Sequence, residues 1–352
     1  MKINKLRRKI DAIDRELLHL LNERALLVKE IGEEKRDRHI ELYTPQREKK
    51  ILQNVVKNSR GPLPPRVIKN LFIEILHACR VVQKKLRIAY LGPQATFTHL
   101  AAIKKFGSFA EYLPAKSISD VFNDVEKSRT DYGVVPIENS TEGVINHTLD
   151  MFIDSDLVIC SEIQMEITHN LLSRTGSLSG IKKIYSHPQA IAQSRNWIED
   201  NLPNAELVEV SSTAQASQLA SREKGSAAIA SQIAAKLYGL KIIAKRIEDQ
   251  TNNFTRFLII GKNYPSRSGH DRTSVMFTIK DRVGALHDML VPFKKGAINL
   301  TKIESRPSRR KVWEYIFFVD FEGHIQDARI KRALKELEKK TVFLRVLGSY
   351  PV

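Results

Sequence analysis

The sequence predicts a multidomain chain: an all-α unit of three helices, then an α/β unit, then an α+β unit of the ferredoxin-like type. In the first part, apolar residues recur at three- and four-residue steps, as they do along one face of a helix. In the middle, short β-branched runs alternate with helical patterns, and the last part follows the order βαββαβ. A length of 352 residues suits two or three domains. We place them at residues 1–86, 87–262 and 270–352.

The chain is basic, but its excess of charge is unevenly distributed. Lys and Arg number 57 against 40 Asp and Glu, so the formal charge is +17 and a nucleic-acid binder is the first candidate. The net charge is +11 over residues 1–87, −2 over 88–262 and +8 over 263–352. Two basic flanks around a slightly acidic middle indicate three units with different tasks.

Several classes of protein are excluded by composition. Hydrophobic residues make up 42% of the chain, which is typical of a globular protein and not of a disordered one. No apolar run approaches the roughly 20 residues of a membrane-spanning helix, and the N-terminus lacks the apolar stretch of a signal peptide. The two cysteines, Cys79 and Cys160, cannot make a disulfide framework or a cysteine-rich metal site, which favours a reducing cytoplasm.

The first unit begins with a pattern for one long helix. Its apolar residues form a narrow stripe, which predicts a helix of about 30 residues. Such a length favours a coiled-coil-like partner, and we expect a second copy of the chain. Two further helices are predicted at about 44–57 and 67–85, separated by the turn-rich segment 58–66. The stripe consists of Ile3, Leu6, Ile10, Ile13, Leu17, Leu20, Leu27 and Ile31.

Several cations of this unit are predicted to converge. Arg24 falls in the apolar stripe, where a buried guanidinium needs an anion or costs several kcal/mol. An ordinary salt bridge would meet that need. A cavity that also receives Arg7, Lys35 and Arg47, with Gln83 from the last helix, suits a small polyanion instead. No nucleophile or general base stands among them, so the pattern favours a reaction that needs only restraint and electrostatic stabilisation.

The segments LRRKIDAIDRELLHLLNERALLVKEIGEEK, YTPQRE, GPLPP and LFIEILHACRVVQ resemble the all-helical chorismate mutases. That family converts chorismate to prephenate in a dimer of interlocked three-helix chains. The resemblance implies that Arg7 of the partner chain, Arg24 and Arg47 bind the two carboxylates. It further implies that Lys35 and Gln83 hydrogen-bond the ether oxygen and that Glu48 holds the ring hydroxyl. Thr44 and Cys79 depart from the family pattern, where an acidic residue can occur and Ser is usual.

Three polar clusters lie at the ends of apolar strands of the middle unit, two after a strand and one leading into the last strand. They are VPIENSTEG (135–143), YSHPQAIAQ (185–193) and TNNFTRF (251–257). Each suits an ordinary helix cap, but three of them at the strand ends of one α/β unit favour a shared polar cleft. The chain has no GxGxxG and no GxxxxGK[ST], and its ten His are scattered, so neither a nucleotide nor a metal site is predicted. We interpret His187 as structural.

From residue 87 to about 261 the chain resembles the prephenate dehydratases, in LGPQATFTHLAA, VVPIENSTEG, SHPQAIAQ, STAQA and NNFTRF. The resemblance implies two α/β lobes around a cleft, similar to type II periplasmic binding proteins, and no cofactor. The reaction removes CO2 and the ring hydroxyl of prephenate to give phenylpyruvate. Thr255 is then the expected proton donor, acting with Glu138, and Arg256 orients the triplet or binds a carboxylate. The substrate-positioning residues are Asn139, Ser140, Ser186 and Gln193.

The last unit reads as strand, helix, two strands, helix and strand. DRVGALHDML and NLTKIESRPSRRKVWEY resemble an ACT regulatory domain of the type that binds phenylalanine. Gly284 allows the backbone to approach a ligand. Such domains bind their effector at paired interfaces, so binding can shift a quaternary equilibrium. The residues that match the effector motifs are Gly284, Ala285, Leu286, His287, Asn299, Leu300, Glu304, Ser305, Arg306 and Pro307.

Together the resemblances cover essentially the whole chain and identify it as a member of the bifunctional chorismate mutase/prephenate dehydratase family, with a C-terminal ACT domain. They imply phenylalanine biosynthesis with feedback inhibition by L-phenylalanine. We expect a cytoplasmic homodimer, paired through the N-terminal helices and the ACT domains, or a higher oligomer. We expect no nucleic-acid or membrane partner, and Arg309, Arg310 and Lys311 of the basic excess have no assigned partner.

Three rival hypotheses remain at this point. The helical unit can serve dimerisation alone, in which case only prephenate is turned over. A solute-binding fold joined to an ACT domain can sense an amino acid, which predicts tight binding without product. A nucleic-acid binder predicts affinity that falls steeply with salt, although no RNP-like, helix-turn-helix or zinc-finger pattern supports it.

Overall fold

The computed structural model describes residues 2–38, 43–280, 282–307 and 315–352. Arg309, Arg310 and Lys311 lie outside the described residues. Among those described, no helix is both long and apolar enough to cross a membrane.

The first compact unit contains residues 2–86 together with 106–111. It has the three predicted helices, and proline begins both the second and the third, where a missing backbone N–H is not needed. The first helix is 36 residues long, somewhat longer than the apolar pattern predicts. The helices are α1 (Lys2–Asp37), α2 (Pro45–Asn58) and α3 (Pro65–Gln83).

The apolar stripe of α1 is open to solvent within a single chain. Its eight residues are each between 50% and 66% exposed, and the range runs from Leu20 to Ile3. A contiguous apolar surface of this kind marks an interaction site in soluble proteins. The stripe is therefore accessible to the second copy of the chain that the sequence predicts.

The second compact unit contains residues 87–105 and 112–352. Its larger sheet has the strand order β13-β14-β12-β15-β5-β11-β3-β1-β2, with β4 beside β3. The elements of the first lobe are β1 (Arg87–Leu91), α4 (Phe97–Phe106), β2 (Glu111–Ala115), α5 (Ile118–Glu126), β3 (Tyr132–Asn139), β4 (Gly143–Val144), α6 (Asn146–Asp154), β5 (Val158–Glu166) and β11 (Phe254–Gly261).

A second lobe is inserted between β5 and β11. Its sheet has the order β10-β6-β9-β7-β8, and the chain enters and leaves it through residues 167–169 and 245–253. Two short helices, Pro188–Ala192 and Arg195–Asn201, follow one another closely in this lobe. The elements are β6 (Asn170–Ser173), β7 (Lys183–Ser186), α7 (Pro188–Ala192), α8 (Arg195–Asn201), β8 (Glu206–Glu209), α9 (Thr213–Ala220), β9 (Ser226–Ala230), α10 (Gln232–Tyr238) and β10 (Lys241–Ala244).

The C-terminal part has the predicted order βαββαβ. Its strand β15 pairs with β5, so its sheet continues that of the first lobe. Side chains of both parts, including Ile159, Leu258, Met276 and Leu347, share one core cluster. The predicted fold class is confirmed. The elements are β12 (Asp271–Thr278), α11 (Ala285–Lys295), β13 (Leu300–Pro307), β14 (Tyr315–Glu322), α12 (Ala328–Glu338) and β15 (Phe343–Pro351).

The junction between β5 and β15 depends on a glycine. Gly348 faces Ile159, and a Cβ at Gly348 would overlap the Ile159 backbone oxygen and lie 2.7 Å from its Cβ. We predict that Gly348→Ala lowers the free energy of unfolding by about 1–3 kcal/mol, the usual cost of overpacking. Calorimetry can measure the change, with Gly61→Ala as control because no heavy atom beyond its chain neighbours lies within 4 Å of its added Cβ. Equal shifts for the two variants would contradict the prediction.

Candidate active sites

A cavity of about 540 Å³ lies among the three helices of the first unit. Arg24, Lys35, Arg47, Glu48 and Gln83 all line it, so the structure brings together five of the six residues assigned to the mutase site. The departures from the family pattern lie there too. Its full lining is Arg24, Leu27, Val28, Ile31, Lys35, Thr44, Arg47, Glu48, Ile51, Leu76, Cys79, Arg80 and Gln83.

Hydrogen bonds hold two of the polar side chains of this cavity, while one nitrogen of a third has no partner among the described residues. The Lys35 ammonium donates to the Thr44 hydroxyl at 2.7 Å, and the Gln83 amide donates to the Val28 carbonyl at 2.8 Å. The Nη1 atom of Arg24 is buried and has no hydrogen-bond partner among the described residues. An unpartnered buried guanidinium nitrogen is costly without an anion, so the cavity suits an anionic ligand.

Arg80 is a cavity residue that the sequence did not reveal. It is 7% exposed, forms an ion pair with Glu48 and donates to the Phe106 carbonyl at 3.3 Å. Its guanidinium also lies 4.7 Å from the centre of the Tyr43 ring. Arg80 therefore fixes the carboxylate that the resemblance assigns to the substrate hydroxyl.

Arg7 is not part of the cavity in its own chain. It lies on α1, 17 residues before Arg24, which corresponds to roughly 25 Å along a helix. Its side chain is exposed. Arg7 therefore does not reach this cavity from its own chain.

A second cavity, of about 290 Å³, lies in the cleft between the two lobes of the second unit. It brings together Asn139, Gln193 and Thr255. His187 lines it too, and its Nδ1 accepts from the Gln189 backbone N–H at the start of α7. The lining consists of Leu91, Gly92, Thr96, Phe97, Thr98, Pro136, Asn139, Ile145, Ile167, His169, His187, Gln189, Ala190, Gln193, Ser211, Ser212, Thr213, Asn253, Thr255 and Phe257.

The Thr255 hydroxyl is held as a donor at this cleft. Thr255 and Asn139 face each other on β11 and β3, and the Asn139 amide donates to the Thr255 Oγ at 2.8 Å. No described residue accepts the Thr255 hydroxyl hydrogen. Since the oxygen already accepts a hydrogen bond, that hydrogen is available to a ligand in the cleft.

Glu138 and Arg256 lie on the other face of the same two strands. They are register partners one step from Asn139 and Thr255, and successive side chains of a strand point to opposite faces. Glu138 is 2.9 Å from the Lys302 ammonium and 3.8 Å from Arg256. The structure therefore does not bring Glu138 to Thr255, and neither Glu138 nor Arg256 lines the cleft cavity.

The two predicted serines contact the backbone and not the cleft. Ser140 donates to the Asn252 carbonyl and accepts from the Phe254 N–H, both at 2.9 Å. Ser186 is fully buried and donates to the Ile229 carbonyl at 2.8 Å. Neither serine lines the cavity. Both hydroxyls instead form hydrogen bonds with the backbone, as serines at strand ends often do.

Asn253 and His169 are cleft residues to which the sequence reasoning gave no role. Asn253 is 2% exposed. It lies within the TNNFTRF cluster, so the sequence could have indicated a place for it in the cleft. His169 is 3% exposed and belongs to no recognised motif. Burial lowers the pKa of His169 below its usual value, although Gln193 and Glu248 act in the opposite direction.

The predicted effector residues cluster around the start of α11 and along β13. Gly284 has φ +77°, a left-handed conformation that favours glycine, and it is the N-cap residue directly before α11. Arg306, by contrast, is already paired: its guanidinium donates to both oxygens of Asp150 in the first lobe at 2.9–3.2 Å. None of the ten predicted effector residues lines either cavity.

The comparisons with known proteins assign the chain to a family. Family models match for chorismate mutase type II over residues 6–84, prephenate dehydratase over 88–265 and the ACT domain over 273–339. A bifunctional chorismate mutase/prephenate dehydratase of Aquifex aeolicus is 49% identical over 99% of this chain and 98% of its own. Another, of Neisseria gonorrhoeae, is 45% identical over 98% of this chain and 96% of its own.

A solved structure is similar to about three quarters of the chain. It is the prephenate dehydratase of Arthrobacter aurescens in complex with L-Phe, 36% identical, with a TM-score of 0.71, covering 76% of this chain and 90% of that one. The chain belongs to the bifunctional chorismate mutase/prephenate dehydratase family. It is an enzyme that converts chorismate to prephenate and prephenate to phenylpyruvate.

Proposed function

We propose that the helical cavity holds chorismate and that the cleft holds prephenate, with the catalytic roles divided as follows. Chorismate carries two carboxylates, and its rearrangement breaks one C–O bond while one C–C bond forms, with no proton transferred. Arg24, Arg47 and the Arg7 of a second copy bind the carboxylates. Lys35 and Gln83 donate to the ether oxygen as charge develops there. Arg80 keeps Glu48 in place for the hydroxyl.

In the cleft, Thr255 assists the departure of the ring hydroxyl. The carbon–carbon bond to the ring carboxylate breaks and its electron pair enters the ring as the ring C–O bond breaks. Thr255 donates its proton to the leaving oxygen, so that CO2 and water depart, and Thr255 regains a proton from solvent. Hydrogen bonding to that leaving oxygen is typically worth 10²–10⁴-fold. The observation that carries this proposal is the Asn139 amide on the Thr255 oxygen at 2.8 Å, which leaves the Thr255 hydrogen to the substrate.

The carboxylates of prephenate are held without an arginine or a lysine. Among the described residues the cleft lining contains neither, but Thr213 begins α9, and Ser211 and Ser212 precede it in the same lining. Backbone N–H groups at a helix start bind anions. Leu91, Phe97 and Phe257 supply apolar surface around them, which limits the access of water.

We also propose that two copies pair through the open stripe of α1 and through the C-terminal parts. The exposed apolar stripe and the exposed Leu286 near Gly284 support this arrangement. L-phenylalanine is the proposed effector, supported by the ACT match and by the L-Phe complex of the Arthrobacter aurescens relative. Both cysteines are free, which supports a cytoplasmic location.

Incubation of the full chain with chorismate tests these roles. Prephenate should appear first and phenylpyruvate second, and L-phenylalanine should lower the rate of the second step. If prephenate is consumed but never formed from chorismate, the helical unit serves only dimerisation. If L-phenylalanine binds without changing either rate, its role as effector is wrong.

A further inference from the structure

His169 lies at the hinge of the two lobes, in the first of the two segments that join them. Its backbone N–H donates to the Glu248 carboxylate at 2.9 Å, and its carbonyl accepts from the Ile247 N–H at 2.9 Å. Both partners belong to the second joining segment. The position of the imidazole is therefore fixed by both connections between the lobes.

The imidazole holds one particular orientation of the Gln193 amide. Its Nε2 is 2.8 Å from the Gln193 Oε1, and since a carbonyl oxygen can only accept, Nε2 is the protonated nitrogen. The Asn253 amide donates to the same oxygen at 3.0 Å. A reversed Gln193 amide would place its NH2 group against the NH2 group of Asn253.

Gln193 belongs to a closed ring of hydrogen bonds across the cleft. Its Nε2 donates to the Thr141 hydroxyl at 3.2 Å, which donates to the Asn139 Oδ1 at 2.6 Å. The Asn139 amide donates to the Asn253 Oδ1 at 2.7 Å, and Asn253 returns to Gln193. Every member donates in the same direction, so the orientation of one amide fixes the others.

Thr255 is attached to this ring through the second hydrogen of the Asn139 amide, at 2.8 Å. We infer that His169 is a positioning residue of the dehydratase, which through Gln193, Asn253 and Asn139 keeps the Thr255 hydroxyl hydrogen directed at the substrate. This inference rests on the proposed role of Thr255. A positioning role for His169 differs from a purely structural one in its effect on turnover. If His169 acts through Thr255, its substitution should have no effect on turnover once the Thr255 hydroxyl is removed.

The test uses the full chain with His169→Leu, which removes the donor, and His169→Gln, whose amide can replace Nε2. His169→Leu should lower kcat for prephenate about ten- to hundredfold, the effect of leaving a buried acceptor without one of its donors, with KM within about twofold. His169→Gln should recover most of kcat. In a Thr255→Val background, His169→Leu should cost no further activity.

Three results would overturn the inference: unchanged kcat in His169→Leu, no recovery in His169→Gln, or an equal loss with and without Thr255. Asn253→Asp supplies a second probe if His169→Leu does not fold, because it replaces the other donor to Gln193 Oε1 with an oxygen. It should lower kcat similarly, and an unchanged kcat there would count against the ring. If Thr255→Val alone leaves dehydration intact, the proposed function fails instead.

Discussion

Thr255→Val should lower kcat for the dehydration of prephenate by about 10²–10⁴-fold and leave the rearrangement of chorismate unchanged. Valine has almost the shape of threonine but has no hydroxyl, so the variant removes the donor without opening a cavity. Thr255 is only 7% exposed, and its oxygen accepts from Asn139. Both activities can be measured on one preparation, with chorismate and prephenate supplied separately.

Thr130→Val is the matched control for this variant. Thr130 is 3% exposed, and its hydroxyl makes no hydrogen bond to any described residue. It lies before β3, outside the cleft lining, so its loss should change neither rate. Dehydration that survives in Thr255→Val would remove Thr255 from the mechanism. A parallel loss of mutase activity would mean that the two sites are not independent.

The sequence predicted which strands carry the dehydratase site but not which of their residues face it. Glu138 and Asn139 are adjacent, as are Thr255 and Arg256, and a two-residue period requires each pair to point to opposite sides. Which side is the cleft depends on the register of β3 with β11 and on what covers the other face. On that other face Arg256 contacts Asp320 and Tyr350, which lie far along the chain. No local pattern encodes such a pairing.

The roles of other residues could not be predicted, because in the sequence these residues look the same as residues with a purely structural role. Arg80 occupies a regular position in α3, and only the folded unit reveals its ion pair with Glu48. Ser186 follows a strand as an active-site serine can, yet it donates to the backbone. The long apolar stripe of α1, in contrast, was readable because it repeats along one helix. Periodic local features are predictable, whereas single polar contacts between distant segments are not.

The face behind Thr255 contains a buried charge cluster centred on Arg256. Its guanidinium donates to Glu162 at 2.7 Å, to Asp320 at 2.7 Å and to the Tyr350 hydroxyl at 2.9 Å. Arg272 also donates to Glu162, at 2.6 and 2.7 Å. Burial alone would lower the pKa of Arg256, but Tyr350, Asp320 and Glu162 together raise it above its usual value. Arg256 thus remains charged and joins β11 to the C-terminal strands.

Arg256→Met should lower the free energy of unfolding of the second unit by about 3–5 kcal/mol, because the buried Asp320 loses its cation. Calorimetry or urea unfolding can measure this. Arg195→Met is the matched control, since Arg195 and its partner Glu199 are 75% and 63% exposed. An exposed pair of this kind is worth at most about 1 kcal/mol. Similar losses in the two variants would contradict a structural role for the cluster.

The second substitution Asp320→Asn distinguishes a broken ion pair from lost packing. If the unpaired Asp320 causes the loss, the double variant Arg256→Met/Asp320→Asn should be more stable than Arg256→Met alone, because no uncompensated charge stays at that position. If lost packing of the arginine side chain is the cause, the two losses should add. Thr255 is the next residue of the same strand, so kcat for prephenate should fall in Arg256→Met and recover together with stability in the double variant. If the double variant regains stability but not kcat, the positive charge of Arg256 is itself needed to hold Thr255 in place, in addition to an intact sheet.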